Sequence, residues 1–368
     1  MKIALIGQKG APTRNGGVER YAENLAAHLA SAGHEVFLYS RKYYSQGLKE
    51  YRGFKIISVP SINTRSLEAI TNTFFAIVDV IFRKVDVINL QSIGPASLIW
   101  LLKIFKPGTP ITFTFHCQDY YHAKWGRLAR AWLHIGEYLG CHLANEVIVI
   151  SRDLVQYVEK KYGFTPTYIP LGTDVMTKVP VKNITRWGLE QGNYIVFVGR
   201  LVRHKGVHHL INAFKKTDTT KKLVIVGDGE YLSALEKLAA GDERIIFTGN
   251  QGGRVLDQLY ANAYLFVQSS EMEGLSTSLL EAMAHRTACL TSDIIANRET
   301  LAGTGFTFVS KNITDLQTQL QKLISSPLDV ESKAGLAYER IQREYTWSEI
   351  AKKILEVYKK LLVKAIVN

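Results

Sequence analysis

Thirteen short apolar runs punctuate this chain, and few architectures can absorb so many of them. Seven fall in the first half: KIALIG (2–7), EVFLYS (35–40), FKIISVP (54–60), DVINLQS (86–92), ITFTFH (111–116), EVIVIS (146–151) and TYIPLG (167–172). Six fall in the second: YIVFVGR (194–200), KLVIVGD (222–228), IIFTGN (245–250), AYLFVQSS (263–270), ACLTSD (288–293) and GFTFVS (305–310). They are rich in Val and Ile without strict apolar–polar alternation, as strands buried on both faces are. Helical patterns separate them, so the repeating unit is βα and the class is α/β, with a doubly wound, Rossmann-like parallel sheet in each half. The polar, proline-bearing stretch GTDVMTKVPVKN (172–183) reads as a linker, giving domains at 1–172 and 173–345. The final segment, 346–368, keeps apolar residues at helical spacing. Ligands of such sheets bind beyond the carboxyl ends of the strands, and two facing domains would hold one in the cleft between them.

Composition narrows the classes. A chain of 368 residues with 46% hydrophobic and 21% charged residues can bury the cores of two globular domains. Cys117, Cys141 and Cys289 are far apart, and two of them sit in strand-like runs; buried, reduced thiols are expected, with no metal site. The first apolar run is too short for a signal peptide. The stretches 74–82 and 93–105, interrupted by Asp79 and Lys103, fall short of the roughly 18–20 residues that span a bilayer. The expected location is the cytoplasm, with contact at most on the inner membrane face. The net charge is +12, with 20 Lys and Arg against 12 Asp and Glu in residues 1–172 and 25 against 21 in the remainder. Anionic headgroups or diphosphates suit that basic first half; nucleic acid would too, but no recognised nucleic-acid motif occurs.

Chemistry-bearing residues collect where the strands end. After the first strand, GQKGAPTRNGGVER carries Gly7, Gly10, Gly16 and Gly17 ahead of a helix beginning near Val18. Such a turn can offer backbone N–H groups and a helix dipole to an anion, or can simply be a tight turn. Its spacing is neither G-x-G-x-x-G nor G-x-x-x-x-G-K-[ST], which argues against a dinucleotide. ITFTFH ends in His116, either a catalytic imidazole or a satisfied structural one. In FVGRLVRHKGVHHL, Gly199 and Arg200 precede a loop to Lys205, and two cations there can grip a diphosphate or line a solvated basic loop. His208 and His209 follow on a helix with no metal expected, and no D-x-D occurs anywhere. The Gly227-Asp228-Gly229 turn fits nucleotide contact and turn chemistry equally.

The stretch EGLSTSLLE (273–281) sets two glutamates around a small-residue loop that opens a helix. Ser278 and Glu281 fit a capping box, which leaves Glu273 and Gly274 unexplained. Carboxylates on ribose or hexose hydroxyls, with amides and cations on phosphates, fit a sugar attached to a nucleotide diphosphate.

These residues make the chain resemble the retaining glycosyltransferases of family 4, with the two-Rossmann-domain GT-B architecture. The glutamate-x7-glutamate block, GRL…KG at 199–206 and their order carry the resemblance over essentially the whole chain. The segment 116–151 and the GGVER start are similar to a bacterial subgroup associated with capsule, lipopolysaccharide or exopolysaccharide assembly, some of whose members are labelled rhamnosyltransferases. The resemblance implies a metal-independent transfer from a nucleotide diphosphate sugar, a substrate and not a cofactor, to a glycan or lipid-linked oligosaccharide. It implies that His116, Arg200, Lys205 and Glu273 serve the reacting centre. Gly16, Gly17, Gly199, Gly227, Gly274, Leu275, Ser276, Thr277 and Glu281 would line the donor. Glu19, Asp119 and Lys124 are candidates on the acceptor side, and the last helix would return to the first domain. Where many relatives have Gly-Phe-Gly-Leu-Pro this chain has Gly-Leu-Ser-Thr-Ser, so the donor sugar does not carry over. A GT-B-type nucleotide-sugar epimerase and a non-catalytic nucleotide-sugar-binding module are the alternatives.

Overall fold

The computed structural model describes residues 1–13, 16–64, 67–121, 125–175 and 179–367, with residues 366 and 367 described by backbone alone. The chain forms two compact units, residues 1–172 with 347–368, and residues 173–346.

The first unit holds strands β1 Lys2–Ile6, β2 Glu35–Arg41, β3 Glu50–Tyr51, β4 Phe54–Val59, β5 Val87–Gln91, β6 Ile111–Phe115, β7 Glu146–Val149 and β8 Thr167–Tyr168. Its helices are α1 Gly17–Ser31, α2 Lys42–Ser45, α3 Glu68–Phe82, α4 Ile93–Ala96, α5 Ile99–Phe105, α6 Arg127–Leu143 and α7 Arg152–Tyr162. The sheet order is β3-β4-β2-β1-β5-β6-β7-β8, and every pairing but β3–β4 is parallel. All seven expected runs form strands; β3 is an addition that no run of two residues announces. Ile3 to Ile6 are wholly buried because helices cover both faces, which is why the strand sequence has no polar side. Local chemistry bounds the helices: Ser151 Oγ accepts from the Leu154 amide at 3.3 Å at the start of α7, and Gly163 ends it at φ 75°.

The second unit holds β9 Tyr194–Val198, β10 Lys222–Val226, β11 Ile245–Gly249, β12 Leu265–Gln268, β13 Cys289–Ser292 and β14 Phe306–Phe308, all parallel, in the order β11-β10-β9-β12-β13-β14. Around them lie α8 Val207–Lys215, α9 Leu232–Ala239, α10 Gly253–Ala261, α11 Thr277–Ala284, α12 Ile295–Leu301, α13 Ile313–Ile324 and α14 Pro327–Glu344. One face of this sheet packs on α8, α9 and α13 through Phe197, Phe214, Leu235 and Leu320.

The last helix, α15 Trp347–Val367, belongs to the first unit. Ile350, Ile354, Tyr358 and Leu361 recur on one buried face, the helix packs on α1, and the Asn89 side-chain amide donates to the Tyr358 hydroxyl at 2.8 Å. Of the thiols, Cys141 and Cys289 are buried, and burial pushes the Cys141 thiol up to about 12. Cys117 departs from expectation and is exposed: β6 stops at Phe115, the chain turns, and its Sγ donates to Asp119 Oδ1 at 3.1 Å.

Candidate active site

In each sheet the strand order reverses beside the first strand of the unit, between β1 and β5 and between β9 and β12. Such switch points open a crevice beyond the carboxyl ends of the strands. In the second unit the loops after β9 and β12 meet there. The Glu271 amide donates to the His204 carbonyl at 2.8 Å, and Ser269 Oγ donates to the Lys205 carbonyl at 3.1 Å. This seam brings together two residues singled out in the sequence: Lys205 Nζ donates to Glu273 Oε1 at 2.5 Å, and Ser270 Oγ donates to the same oxygen at 2.7 Å. The pair is well shielded, with side chains 19% and 10% exposed.

Arg200 is exposed one residue beyond Gly199, on the same loop as Lys205. Gly227, open to two readings in the sequence, has a backbone reason for being glycine. At φ 141° an added Cβ would sit 1.9 Å from the Gly199 carbonyl, so the turns after β9 and β10 touch through main chain. Gly206 is similar, at φ 66° with its Cβ position 2.0 Å from the Ser269 carbonyl. The close approach of these loops requires both glycines whether or not a ligand is bound.

The loop after β12 runs through exposed Gly274 and half-buried Leu275 to α11. Here the capping-box expectation is corrected. The N-cap is Ser276, whose Oγ accepts from the Leu279 amide at 3.3 Å and donates to Gln268 Oε1 at 2.7 Å. Thr277 and Ser278 are therefore the first two helical residues, whose amides a helix leaves without internal acceptors. Glu281 lies one turn inside, has no capping role, and accepts from the Tyr260 hydroxyl at 3.1 Å.

In the first unit, Gly16 and Gly17 are exposed at the entry to α1. Glu19, expected near the ligand, is buried and holds its own loop: Oε1 accepts from the Lys9 amide at 3.3 Å. Glu23 does the same for the Thr13 amide at 2.5 Å. Each carboxylate takes up one amide of the loop, so both help to order it. Asp119 begins the turn after His116, half-buried. Lys124 lies outside the described residues.

His116 follows the last residue of β6, with Nε2 at 2.6 Å from Gln91 Oε1 and the edge of Tyr21 against its ring. Gln91 Nε2 donates to Asn89 Oδ1 at 2.7 Å, which also accepts from Thr114 Oγ1 at 3.0 Å. The direction of this chain leaves only the Gln91 oxygen for His116, so Nε2 carries the proton and Nδ1 is the acceptor. Burial pushes the imidazole down to about 3, so it is neutral and serves as a hydrogen-bonding group at neutral pH. Gln91 and Asn89 were missed in the sequence, although two amides within an apolar strand were a visible signal.

The sign of the resulting pH dependence follows from linkage. The unfolded histidine titrates near 6.5 and the folded one near 3, so between those values the unfolded chain takes up a proton that the folded chain refuses. Stability should fall as the pH drops through that window, by about 1.4 kcal/mol per unit from this residue. Urea unfolding at a series of pH values measures the slope, and His116→Gln should flatten it.

A second buried group was invisible in the sequence. Glu137 of α6 has a fully buried side chain whose Oε1 accepts from Lys161 Nζ at 2.6 Å and from the Tyr157 and Tyr162 hydroxyls, each at 2.7 Å. The Tyr157 hydroxyl also meets that of Tyr120 at 2.9 Å, linking the network to the turn after His116. In the second unit, ligand atoms of His208, His209 and Glu271 lie within 4.8 Å of one another. Lys311 Nζ already pairs with Glu271 at 3.1 Å and His209 Nε2 lies 3.2 Å from it, so that carboxylate is neutralised by protein groups.

Two family models match the chain: Glycosyltransferase Family 4 over residues 15–176 and Glycosyl transferases group 1 over residues 182–342. An uncharacterised glycosyltransferase of Methanocaldococcus jannaschii is 24% identical over 98% of each chain. The alpha-monoglucosyldiacylglycerol synthase of Streptococcus pneumoniae is 25% identical over 78% of this chain and 70% of its own. Among solved structures, the sucrose-phosphate synthase of Thermosynechococcus elongatus matches 99% of both chains with a TM-score of 0.82 at 21% identity. HepE of Anabaena, in complex with UDP and glucose, covers 98% of this chain and 100% of its own with a TM-score of 0.78 at 17% identity. Glycosyltransferase models thus match both units, and the fold is shared along the whole chain: it belongs to the group 1 glycosyltransferases, enzymes with the GT-B fold.

Proposed function

We infer that this enzyme transfers a sugar from a nucleotide diphosphate sugar to a lipid-linked glycan during assembly of a bacterial cell-surface polysaccharide, with retention at the anomeric carbon and without a metal. The observation that carries this reading is the Lys205–Glu273 pair at the β9/β12 switch point, beside the start of α11. Arg200, Lys205 and the amides of Thr277 and Ser278 are assigned to the diphosphate, where they neutralise the charge that grows as the sugar departs. Glu273, held by Lys205 and Ser270, is assigned to the sugar hydroxyls, and Glu281 to the ribose. Gly199, Gly227, Gly274 and Leu275 shape the walls of the donor site.

No side chain is assigned as nucleophile. The acceptor hydroxyl attacks the face the diphosphate leaves, the bond from the anomeric carbon to the diphosphate oxygen breaks, and that oxygen takes the acceptor's proton. Neutral His116, with its Nε2 proton on Gln91, accepts a hydrogen bond from the transferred sugar at Nδ1 and moves no proton. The UDP in the HepE complex supports a uridine nucleotide as the first donor to test. The relative that makes a glucosylated diacylglycerol supports an acceptor in a lipid environment, reached by peripheral contact with the inner membrane face.

The test is a thermal-shift panel of UDP, GDP, TDP and ADP with their sugar conjugates, in EDTA. One nucleotide is expected to stabilise the chain with the chelator present. Glu281→Ala should reduce that shift, whereas Tyr260→Phe, which removes only the hydroxyl that Glu281 accepts from, should lower the ligand-free melting temperature and leave the shift in place. A shift that needs added divalent metal would sink the metal-independent reading, and an inverted anomeric proton in the NMR spectrum of the product would sink retention.

A further inference from the structure

The helix α3 is apolar on two sides. Ala76, Ile77 and Val80 pack into the core beneath it, yet Phe74, Phe75, Val78 and Phe82 face outward, where a surface helix is normally polar. The neighbouring α5 repeats the anomaly with Trp100, Ile104 and Phe105. The exposures are large at the end of the pair: 85% for Phe82, 60% for Ile104 and 59% for Phe105. The two helices are tied there, because Lys106 Nζ, just beyond α5, donates to the carbonyls of Ile81 and Arg83 at the end of α3 at 3.1 and 2.8 Å. The outward sides therefore form one apolar strip, larger than isolated surface residues account for.

Charge around the strip selects its occupant. Lys84 is exposed two residues beyond α3, and Lys103 and Lys106, whose ammonium groups rest on Asn145 Oδ1 at 2.9 Å and on the carbonyls just named, keep their positive charge beside the exposed pair on α5. The acid on the outer part of α3, Asp79, is consumed by Arg83 at 2.9 Å and by the Tyr39 hydroxyl at 2.6 Å. A second copy of the chain laid face to face would set lysines against lysines, whereas an anionic bilayer offers hydrocarbon for the rings and phosphates for the ammonium groups. Among the described residues no helix is long and apolar enough to cross a membrane, so the contact is flat.

We propose that the outward face of α3 and α5 is a docking surface for an anionic lipid bilayer, with Phe75, Val78, Phe82, Trp100, Ile104 and Phe105 entering the headgroup region, exposed Lys84 meeting lipid phosphates, and Lys103 and Lys106 adding positive potential from beside the rings. This deepens the lipid-linked acceptor reading and rests on it for its purpose. The two helices overlap the stretches 74–82 and 93–105, which the sequence marked only as too short to span a bilayer.

Flotation of the full chain tests it, with vesicles of phosphatidylglycerol and phosphatidylcholine against phosphatidylcholine alone. Binding is expected to the first and much less to the second, and to weaken as salt screens the lysines. Phe82→Glu combined with Ile104→Glu should reduce bound protein by about tenfold or more. Lys84→Glu should reduce only the salt-sensitive part. The ligand-free melting temperature checks that the variants stay folded. The proposal is overturned if the wild type ignores phosphatidylglycerol vesicles, if the double variant binds as the wild type does, or if sedimentation shows a dimer that the double variant dissolves. A chain that floats but binds no nucleotide would refute the functional reading and leave this surface standing.

Discussion

Replacing Lys205 by alanine is expected to lower the turnover number about 100- to 1,000-fold, the loss seen when one preorganised donor to a developing negative charge is removed. The same change leaves Glu273 with Ser270 as its remaining donor in a setting where the carboxylate is only 10% exposed. A fall in stability therefore accompanies the fall in rate, and the two must be separated. Arg200→Ala does so: Arg200 is exposed on the same loop, so its loss should leave the melting temperature unchanged and still lower the rate by a comparable factor. Lys205→Arg should recover stability and part of the activity, because it keeps the charge and changes its geometry. Steady-state rates with the donor identified in the thermal-shift panel decide the matter. Full activity in Arg200→Ala together with a loss in Lys205→Ala that tracks melting temperature alone would make the Lys205–Glu273 pair a structural strut.

The largest effect on stability is expected at Lys161. Burial would raise the Glu137 carboxyl, but Lys161, Tyr157 and Tyr162 together hold it below the usual range. Lys161→Met keeps the hydrocarbon stem and removes the cation, stranding a buried charge on two hydroxyls. Breaking a fully buried pair costs about 3–5 kcal/mol. Lys161 is 39% exposed, so water already screens part of the interaction and about 2 kcal/mol is the better figure. In a domain of this size that lowers the melting temperature by about 4–8 °C. The loss should shrink as the pH falls, since the variant's carboxyl can take a proton and become neutral. In the wild type the depressed Glu137 contributes stability that is present above its unfolded value and fades as the pH falls through its folded one. Equal losses at neutral pH and near pH 5 would show that Glu137 is not the group left behind.

Much of the fold was legible because its signals are local. Strands buried on both faces have to be continuously apolar, so each run could be read without knowing its partner, while the two-residue β3 carries no such pattern. Legibility failed where several residues satisfied the same local rule. Gly-Leu-Ser-Thr-Ser offers more than one cap; the bond from Ser276 to Gln268, eight residues back, selects Ser276 and frees Glu281 from the capping role. Cys117 extends an apolar run on paper and is exposed because the strand ends two residues earlier. The phenylalanines of α3 were visible, but a sequence cannot say which side of an apolar helix is covered.

The sequence alone determined the strands, the glycine-bearing loops at their carboxyl ends, and the residues, Arg200, Lys205, Glu273 and Glu281, that we assign to a diphosphate sugar. Tertiary structure decided which of them meet. Lys205 and Glu273 are 68 positions apart, and they touch because β9 lies beside β12 and the loops that follow are stitched through main chain. Glu137 reaches Lys161 across 24 positions in the same way, once α6 and α7 fold into one unit. Periodicity, capping and turn chemistry act over a few residues and are written in order along the chain; an ion pair of long range depends on sheet order, which no local pattern encodes.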